Sequence, residues 1–245
     1  MSGQKGPLVV RFGAPPEAAP QAGAIERVQV SVENAGTIAW RDGINIAYHW
    51  LDDRDNPIVW DGYRTPAPRL EPGARATVEV DVRAPIPPGR YRLAFDLVAE
   101  GRAWFSELGS EMLTRDVEVT ERRGEPTTSA LPPGVQPAPD RAERLSAAHA
   151  EGYGVVAGAV AWHGGLLQPR PRALAAYEPG PGRIPGFGAP LLCPSVLPGI
   201  ELEPLGEVAG LPAFAAPPPR GEPWIYDGRI VVVLTARRRS GRPSG

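Results

Sequence analysis

Cysteine occurs once in the 245 residues, at Cys193, which excludes an internal disulfide and any zinc site built on several thiolates. Stability must come from packing and hydrogen bonding alone. A basic excess is also missing: 26 Lys and Arg stand against 28 Asp and Glu, a net charge of −2, so the chain carries no electrostatic footprint for nucleic acid. The one dense basic run, Arg237-Arg238-Arg239 ahead of "SGRPSG", reads as a solvated end with a flexible tail over 239–245. No stretch approaches the ~18 apolar residues of a membrane span, and "MSGQKGPLVVRFGAPP" lacks the apolar run of a signal peptide. A soluble, cytoplasmic protein with no membrane span is the expectation.

Reactive constellations are scarce as well. The three histidines, His49, His149 and His163, are widely separated, and no third ligand stands at metal-site spacing beside the last two. "DDRDN" (52–56) has the acidic spacing of a calcium loop but lacks the Gly at the sixth position and the terminal Glu, so it reads as a turn. "GPGRIPGFG" (180–188) is glycine-rich, yet it neither follows a clear strand nor opens a helix, the context that phosphate cradling needs. Ser195 follows "LCP" without a nucleophile elbow, and Cys193 between Leu192 and Pro194 reads as a small core residue. The pattern therefore supplies no catalytic residue, no metal site and no cofactor.

Proline and glycine are abundant, 31 and 29 residues, which disfavours long helices. Eleven prolines fall in 1–120 and twenty in 121–245, so the two parts are built differently. In the first part, "IERVQVSVE" (25–33), "ATVEVDVRA" (76–84) and "RYRLAFDLV" (90–98) alternate apolar and polar residues, the mark of strands with one buried face. "LVVRF" (8–12), "NIAYHW" (45–50), "IVW" (58–60) and "RDVEVT" (115–120) bring the total to seven. "LDDRDNPI", "LEPGA" and "IPPGR" supply turn chemistry between them. Seven short strands at this spacing predict an immunoglobulin-like antiparallel β-sandwich over 1–120, without the antibody-type disulfide.

In the second part, "ERRGEPTTSALPPGVQPAPD" (121–140) has the composition of an extended Pro-rich linker. Asp140 then stands as N-cap to "RAERLSAAHAEG", with Glu143 at the third position and Gly152 as the stop, predicting one short helix. "YGVVAGAVAWH" (153–163) reads as a strand buried on both faces, and "PWIYDGRIVVVLTARR" (223–238) as a hairpin or strand. The expectation for 141–238 is a small, irregular, Pro/Gly-rich α+β domain, so the whole chain is mainly β.

"GRAWFSELG" (101–109) sets two large aromatics side by side in a charged, glycine-bearing segment. Extended backbone would turn one inward and one outward. One alternative has the pair plugging the core and covering its rim. The other has Trp60, Tyr63 and Trp104, with Arg64, Glu100 and Arg102, forming a ligand- or partner-facing platform of stacking rings and charged forks.

The segments "VSVENAGTIAW", "AYHWLD", "VWDGYRT", "LEPGARATVEVDVRAPIPPGRYRLAFDLVAEGRAWFSELG" and "VEV", together spanning residues 8–120, resemble a bacterial Ig-like accessory domain associated with glycosyltransferases and other cell-surface polysaccharide enzymes. The resemblance implies a non-catalytic role in glycan or polysaccharide assembly, with a glycan or a polysaccharide-biosynthesis enzyme as partner, and it carries over no binding residues. Within 141–190, "AHAEGYGVVAGAV" followed by "RALAAYEPGPGRIPGFG" is similar to an internal piece of family 2 glycosyltransferases. The metal-holding Asp-x-Asp of that family is missing from the region just ahead of this segment, as is its nucleotide-binding strand–loop unit. Glu151 and Glu178 remain as surface charges. A degenerate glycosyltransferase retaining sugar-nucleotide binding and a protein-docking scaffold are the alternative roles.

Overall fold

A computed structural model describes residues 6–164, 168–186, 188–218 and 221–235. The basic run and the expected tail at 239–245 lie outside the described residues. The chain divides into two compact units, Met1–Glu121 and Arg122–Gly245.

The first unit is an immunoglobulin-like sandwich of nine strands: β1 (Val10–Phe12), β2 (Ile25–Asn34), β3 (Ile44–Leu51), β4 (Pro57–Val59), β5 (Thr65–Pro66), β6 (Arg75–Arg83), β7 (Gly89–Ala99), β8 (Ala103–Trp104) and β9 (Leu113–Val119). One sheet runs β1-β2-β6. In the other, β3 and β7 are central, with β4 and β5 on the far side of β3 and β8 and β9 on the far side of β7. All the pairings within both sheets are antiparallel. Period-two alternation sets the core: Val28, Val30 and Val32 face Ile46, Tyr48, Trp50, Leu93, Phe95 and Leu97 in one buried cluster. Trp50 donates its indole N–H to the Arg83 carbonyl (2.8 Å), and the Tyr48 hydroxyl accepts from the Arg83 amide (2.9 Å), so polar bonds also tie β3 to the opposite sheet.

The N-A-G…W segment is a structural corner. Asn34 is fully buried, and its amide donates to the carbonyls of Ile38 and Leu70, both at 2.9 Å, while its oxygen accepts from the Gly36 amide at 3.1 Å. These bonds satisfy a group that burial would otherwise penalise. They aim Trp40 into the core, where its ring meets Phe105 edge-on at 5.9 Å.

The second unit is built on a five-stranded mixed sheet. Its members are β10 (Thr127–Thr128), β11 (Val135–Pro137), β12 (Val155–His163), β14 (Ser195–Val196) and β17 (Trp224–Thr235), in the order β10-β14-β12-β17-β11. A smaller sheet joins β13 (Leu191–Leu192), β16 (Leu211–Phe214) and β15 (Pro204–Val208). The segment expected as a linker thus supplies both edge strands of the main sheet. Edge positions tolerate the missing N–H of proline, and Pro137 sits on one. The helix α1 (Arg141–Glu151) is present, but Asp140 makes no side-chain cap bond; its carboxylate accepts instead from Arg144 Nε at 2.7 Å. Gly152 ends the helix at φ 121°.

β12 is buried on both faces, as its sequence predicts. Val156 packs with Leu145 of α1 and Ile230, while Val155, Ala157, Ala159 and Val160 enter the larger cluster with Leu174, Tyr177, Leu191 and Leu211. β17 is one long strand parallel to β12 rather than a hairpin, and it bulges between Asp227 and Val231. The Asp227 carboxylate accepts from the Arg229 guanidinium (2.7 Å) and amide (2.9 Å), which staples the bulge. Gly158 lies beneath it: a Cβ there would meet the Ile230 carbonyl oxygen at 1.9 Å.

Candidate functional site

The aromatic pair of "GRAWFSELG" divides between the two faces of the second sheet. Phe105 is fully buried in the core, its amide bonded to the Leu97 carbonyl at 2.8 Å. Trp104 pairs with Val98 and lies on the outer face. There it meets Trp60 (ring centroids 6.0 Å, planes at 68°) and His49 (4.7 Å, 62°). His49 stacks on Trp60 at 4.1 Å with planes 19° apart. Because one indole face of Trp60 lies on His49 and the residue stays 44% exposed, its other face opens to solvent.

Arg64 completes this ledge. Its guanidinium carbon sits 4.7 Å from the Trp104 ring centroid, a cation–π contact. It donates to Glu100 (3.0 Å), pairs with Asp61, and reaches the Gly62 carbonyl (3.3 Å). Glu100 also accepts from the Asn45 amide at 2.8 Å. Of the six expected platform residues, the structure gathers Trp60, Arg64, Glu100 and Trp104. Tyr63 turns to the other side, edge-on to Tyr48 (6.4 Å), with its hydroxyl accepting from Arg83 Nε at 2.7 Å. The split occurs at Gly62, where a Cβ would meet the Tyr48 ring and carbonyl oxygen at 2.6 Å; the chain passes there only as glycine. Arg102 lies in the β7–β8 turn and lines a neighbouring cleft of about 320 Å³ with Arg41, Asp42 and Ile38.

Sequence reasoning missed what lies beneath the ledge. His49 and Asp96 are fully buried although both are on the outer face of the sheet. His49 Nδ1 bonds the Trp60 carbonyl; a carbonyl can only accept, so Nδ1 carries the proton and Nε2 is a bare acceptor. Nε2 has no hydrogen-bond partner. Burial holds the His49 pKa below its ordinary value, opposed by the Trp60 bond and by Asp96. Asp96 accepts from the Leu97 amide (2.7 Å) and from the Ser106 hydroxyl (2.5 Å) and amide (3.4 Å), yet burial pushes its pKa up. The available signal was an Asp at the centre of an otherwise apolar strand, "LAFDLVA", and a His of the same parity as Asn45 and Ala47 in "NIAYHW".

The remaining sequence candidates have structural roles. Asp52 accepts from the amides of Arg54 and Asn56 (both 2.8 Å), so "DDRDN" is a side-chain-capped turn. The Gly180 amide bonds the Gly228 carbonyl at 2.9 Å, so the start of "GPGRIPGFG" docks on the β17 bulge; Phe187 lies outside the described residues. Glu178 pairs with Arg170 (3.5 Å) and Arg183 (3.8 Å). His149 pairs with Ser195 rather than with His163: Nδ1–H donates to the Tyr153 carbonyl (2.7 Å), leaving Nε2 to accept the Ser195 hydroxyl (2.9 Å). That is the bonding order of an activated serine, but Ser195 is 0% and His149 3% exposed, so no substrate reaches the hydroxyl. Cys193 is buried and its thiol pushed up to about 11 by desolvation. Among the described residues no group of three His, Cys, Asp or Glu is placed to hold a metal ion, and no helix is long and apolar enough to cross a membrane.

No family model matches the chain, and no curated protein matches it. Among solved structures it is similar to a β-glucosidase from Listeria innocua (18% identity, TM-score 0.29, 45% of this chain and 16% of that one). It is also similar to the Y1175G mutant of Salmonella alpha-2-macroglobulin (19%, TM-score 0.28, 55% and 8%). A third likeness is to a PapD-like domain of human CEP192 (12%, TM-score 0.27, 50% and 92%). The chain spans a small fraction of the first two proteins, and likenesses at these TM-scores carry no argument about ligand or activity.

Proposed function

We propose that the chain is a non-catalytic binding module serving the assembly of cell-surface glycan or polysaccharide, with the Trp60–Trp104 ledge as its contact surface. One observation carries the reading: an indole held rigidly from below by a buried histidine, with its upper face left open among charged groups. Aromatic faces of this kind suit the apolar face of a sugar ring, while flanking carboxylates and amides suit its hydroxyls. The resemblance of residues 8–120 to accessory domains of polysaccharide enzymes points the same way.

Titration of the full chain with a panel of oligosaccharides, repeated with Trp60→Ala, tests this. Saturable binding that the substitution abolishes is the expected result; binding of none, or binding indifferent to Trp60, would sink the reading. Saturable binding of a UDP- or GDP-sugar would favour the alternative of a retained nucleotide site in 141–238. A second reading, a docking scaffold for a separate polysaccharide enzyme, draws on Ile58, which is 48% exposed on the edge strand β4 two residues before Trp60. Capture of such an enzyme, lost with Ile58→Asp and unaccompanied by glycan binding, would select it.

A further inference from the structure

We infer that the ledge takes an uncharged hexopyranose unit and turns away acidic sugars, an inference that rests on the glycan-binding reading. Charge carries it, together with a guanidinium whose three nitrogens are each already engaged. Recognising a uronate or a phosphorylated sugar requires a cation with its fork free for bidentate hydrogen bonding. Arg64 is the guanidinium at the ledge, and its nitrogens are engaged by Glu100, Asp61 and the Gly62 carbonyl while its plane lies over Trp104.

The rim around it is acidic. Asp61 follows Trp60 directly, Glu100 is bonded to Arg64, and Glu107 accepts from the Trp104 amide at 3.1 Å. Asp61 and Glu100 share the one Arg64 guanidinium while Glu107 sits on the Trp104 amide, and even with Arg102 of the adjoining turn counted the three carboxylates outnumber the cations. A carboxylate only accepts hydrogen bonds, so the rim matches hydroxyl donors and repels a second anion. Trp60 offers one open indole face, room for a single ring, since its other face is occupied by His49. The whole arrangement thus fits a neutral ring laid on Trp60 with hydroxyls directed to the acidic rim.

The test uses the full chain at low ionic strength, where exposed charges are least screened. Cellohexaose, mannohexaose and hexagalacturonic acid are titrated while the indole N–H resonances of Trp60 and Trp104 are followed by NMR. At least one neutral oligomer shifts both resonances saturably, and hexagalacturonic acid binds at least about tenfold more weakly, a difference of ~1.4 kcal/mol. The double substitution Asp61→Asn with Glu100→Gln removes two of the three rim carboxylates and breaks both ion pairs of Arg64. It is expected to raise affinity for hexagalacturonic acid about tenfold.

Hexagalacturonic acid binding the unsubstituted chain as tightly as the neutral oligomers, at the same two indoles, overturns the neutral class and leaves the ledge a glycan site. An unchanged affinity for hexagalacturonic acid in the double variant overturns the role given to the rim. If no oligomer moves either indole, the glycan reading fails and this inference fails with it.

Discussion

Replacing Phe105 and Trp104 one at a time by alanine puts the inside–outside division of this pair to a direct test. Phe105 is 0% exposed, T-stacked on Trp40, and held by backbone bonds to Leu97 and from Ser110 at 2.8 and 2.9 Å. The loop is therefore pinned and has little freedom to collapse into the space an alanine would leave. Truncations of this kind cost about 3–5 kcal/mol, against the 5–15 kcal/mol that is typical of a whole domain. Trp104 is half-buried on the outer face and touches no part of the inner cluster, so its loss is expected to cost about 1–2 kcal/mol, in line with partial burial. Hydrogen exchange across a urea series, read on peptides from β3 and β7, gives the local stability of the first unit. Phe105→Ala should lower it by at least twice as much as Trp104→Ala. Equal losses, or a larger one at Trp104, would refute the assignment of Phe105 to the core and of Trp104 to the ledge.

Acidification should weaken the first unit through His49. Its folded pKa lies below the ordinary value of 6.5, so as pH falls through that value the unfolded chain takes up a proton that the folded one refuses; stability drops, and His49→Phe should flatten the slope measured by the same exchange experiment. His149, buried and shifted in the same direction, predicts a slope of the same sign in peptides of the second unit that His49→Phe leaves in place. Gly158→Ala forces a Cβ against the Ile230 carbonyl and should cost about 3 kcal/mol in the second unit, seen as a lower urea midpoint for peptides of β12 and β17. Cys193, buried and with a thiol pKa of about 11, should resist a disulfide reagent in the native protein and react promptly in denaturant; fast native labelling would contradict its placement.

What was legible in advance follows the length of each element. All seven strands read in the first part are present, and the alternation registers most clearly where a long strand keeps one face solvated. β2 and β6 show why: their outer face is a ladder of Arg27–Asp81, Gln29–Glu79, Ser31–Thr77 and Arg11–Glu33–Arg75 contacts, so every second residue must be polar. β5, β8, β13 and β14 have two residues each, too few for any period. They are held by tertiary neighbours rather than by propensity. The same reason explains the hidden strands β10 and β11, whose proline-rich composition signals a linker until the edge they occupy is known. The ledge was half legible. Its rings and charges stood out as an aromatic and ionic excess in loops, but which side of the sheet each would face depended on Gly62, and a close backbone approach leaves no trace in composition.

The two outer faces of the sandwich provide the strongest reason to look for function at the ledge. The outer face of β1-β2-β6 is the ladder just described, an ion-paired and solvated surface of the kind a sheet needs when one side packs and the other meets water. The outer face of β3 and β7 breaks that rule. It carries Ala47, Ala94 and Val98, all buried yet outside the inner cluster, together with the buried His49 and Asp96. Small side chains let rings lie close to the sheet, and the loop after β4, strand β8 and the turn after it bring Trp60, Trp104 and Ser106 onto this face. Burying a histidine and a carboxylate there opposes stability, since each must be desolvated, and the inner core is complete without either. A solvated face like that of β2 and β6 would have closed the sheet without that cost. On the proposed binding reading, that cost has a use: His49 fixes the Trp60 ring from beneath and Asp96 ties down Ser106 of the adjoining turn, so a ligand would meet an indole already oriented and little entropy would be lost on binding.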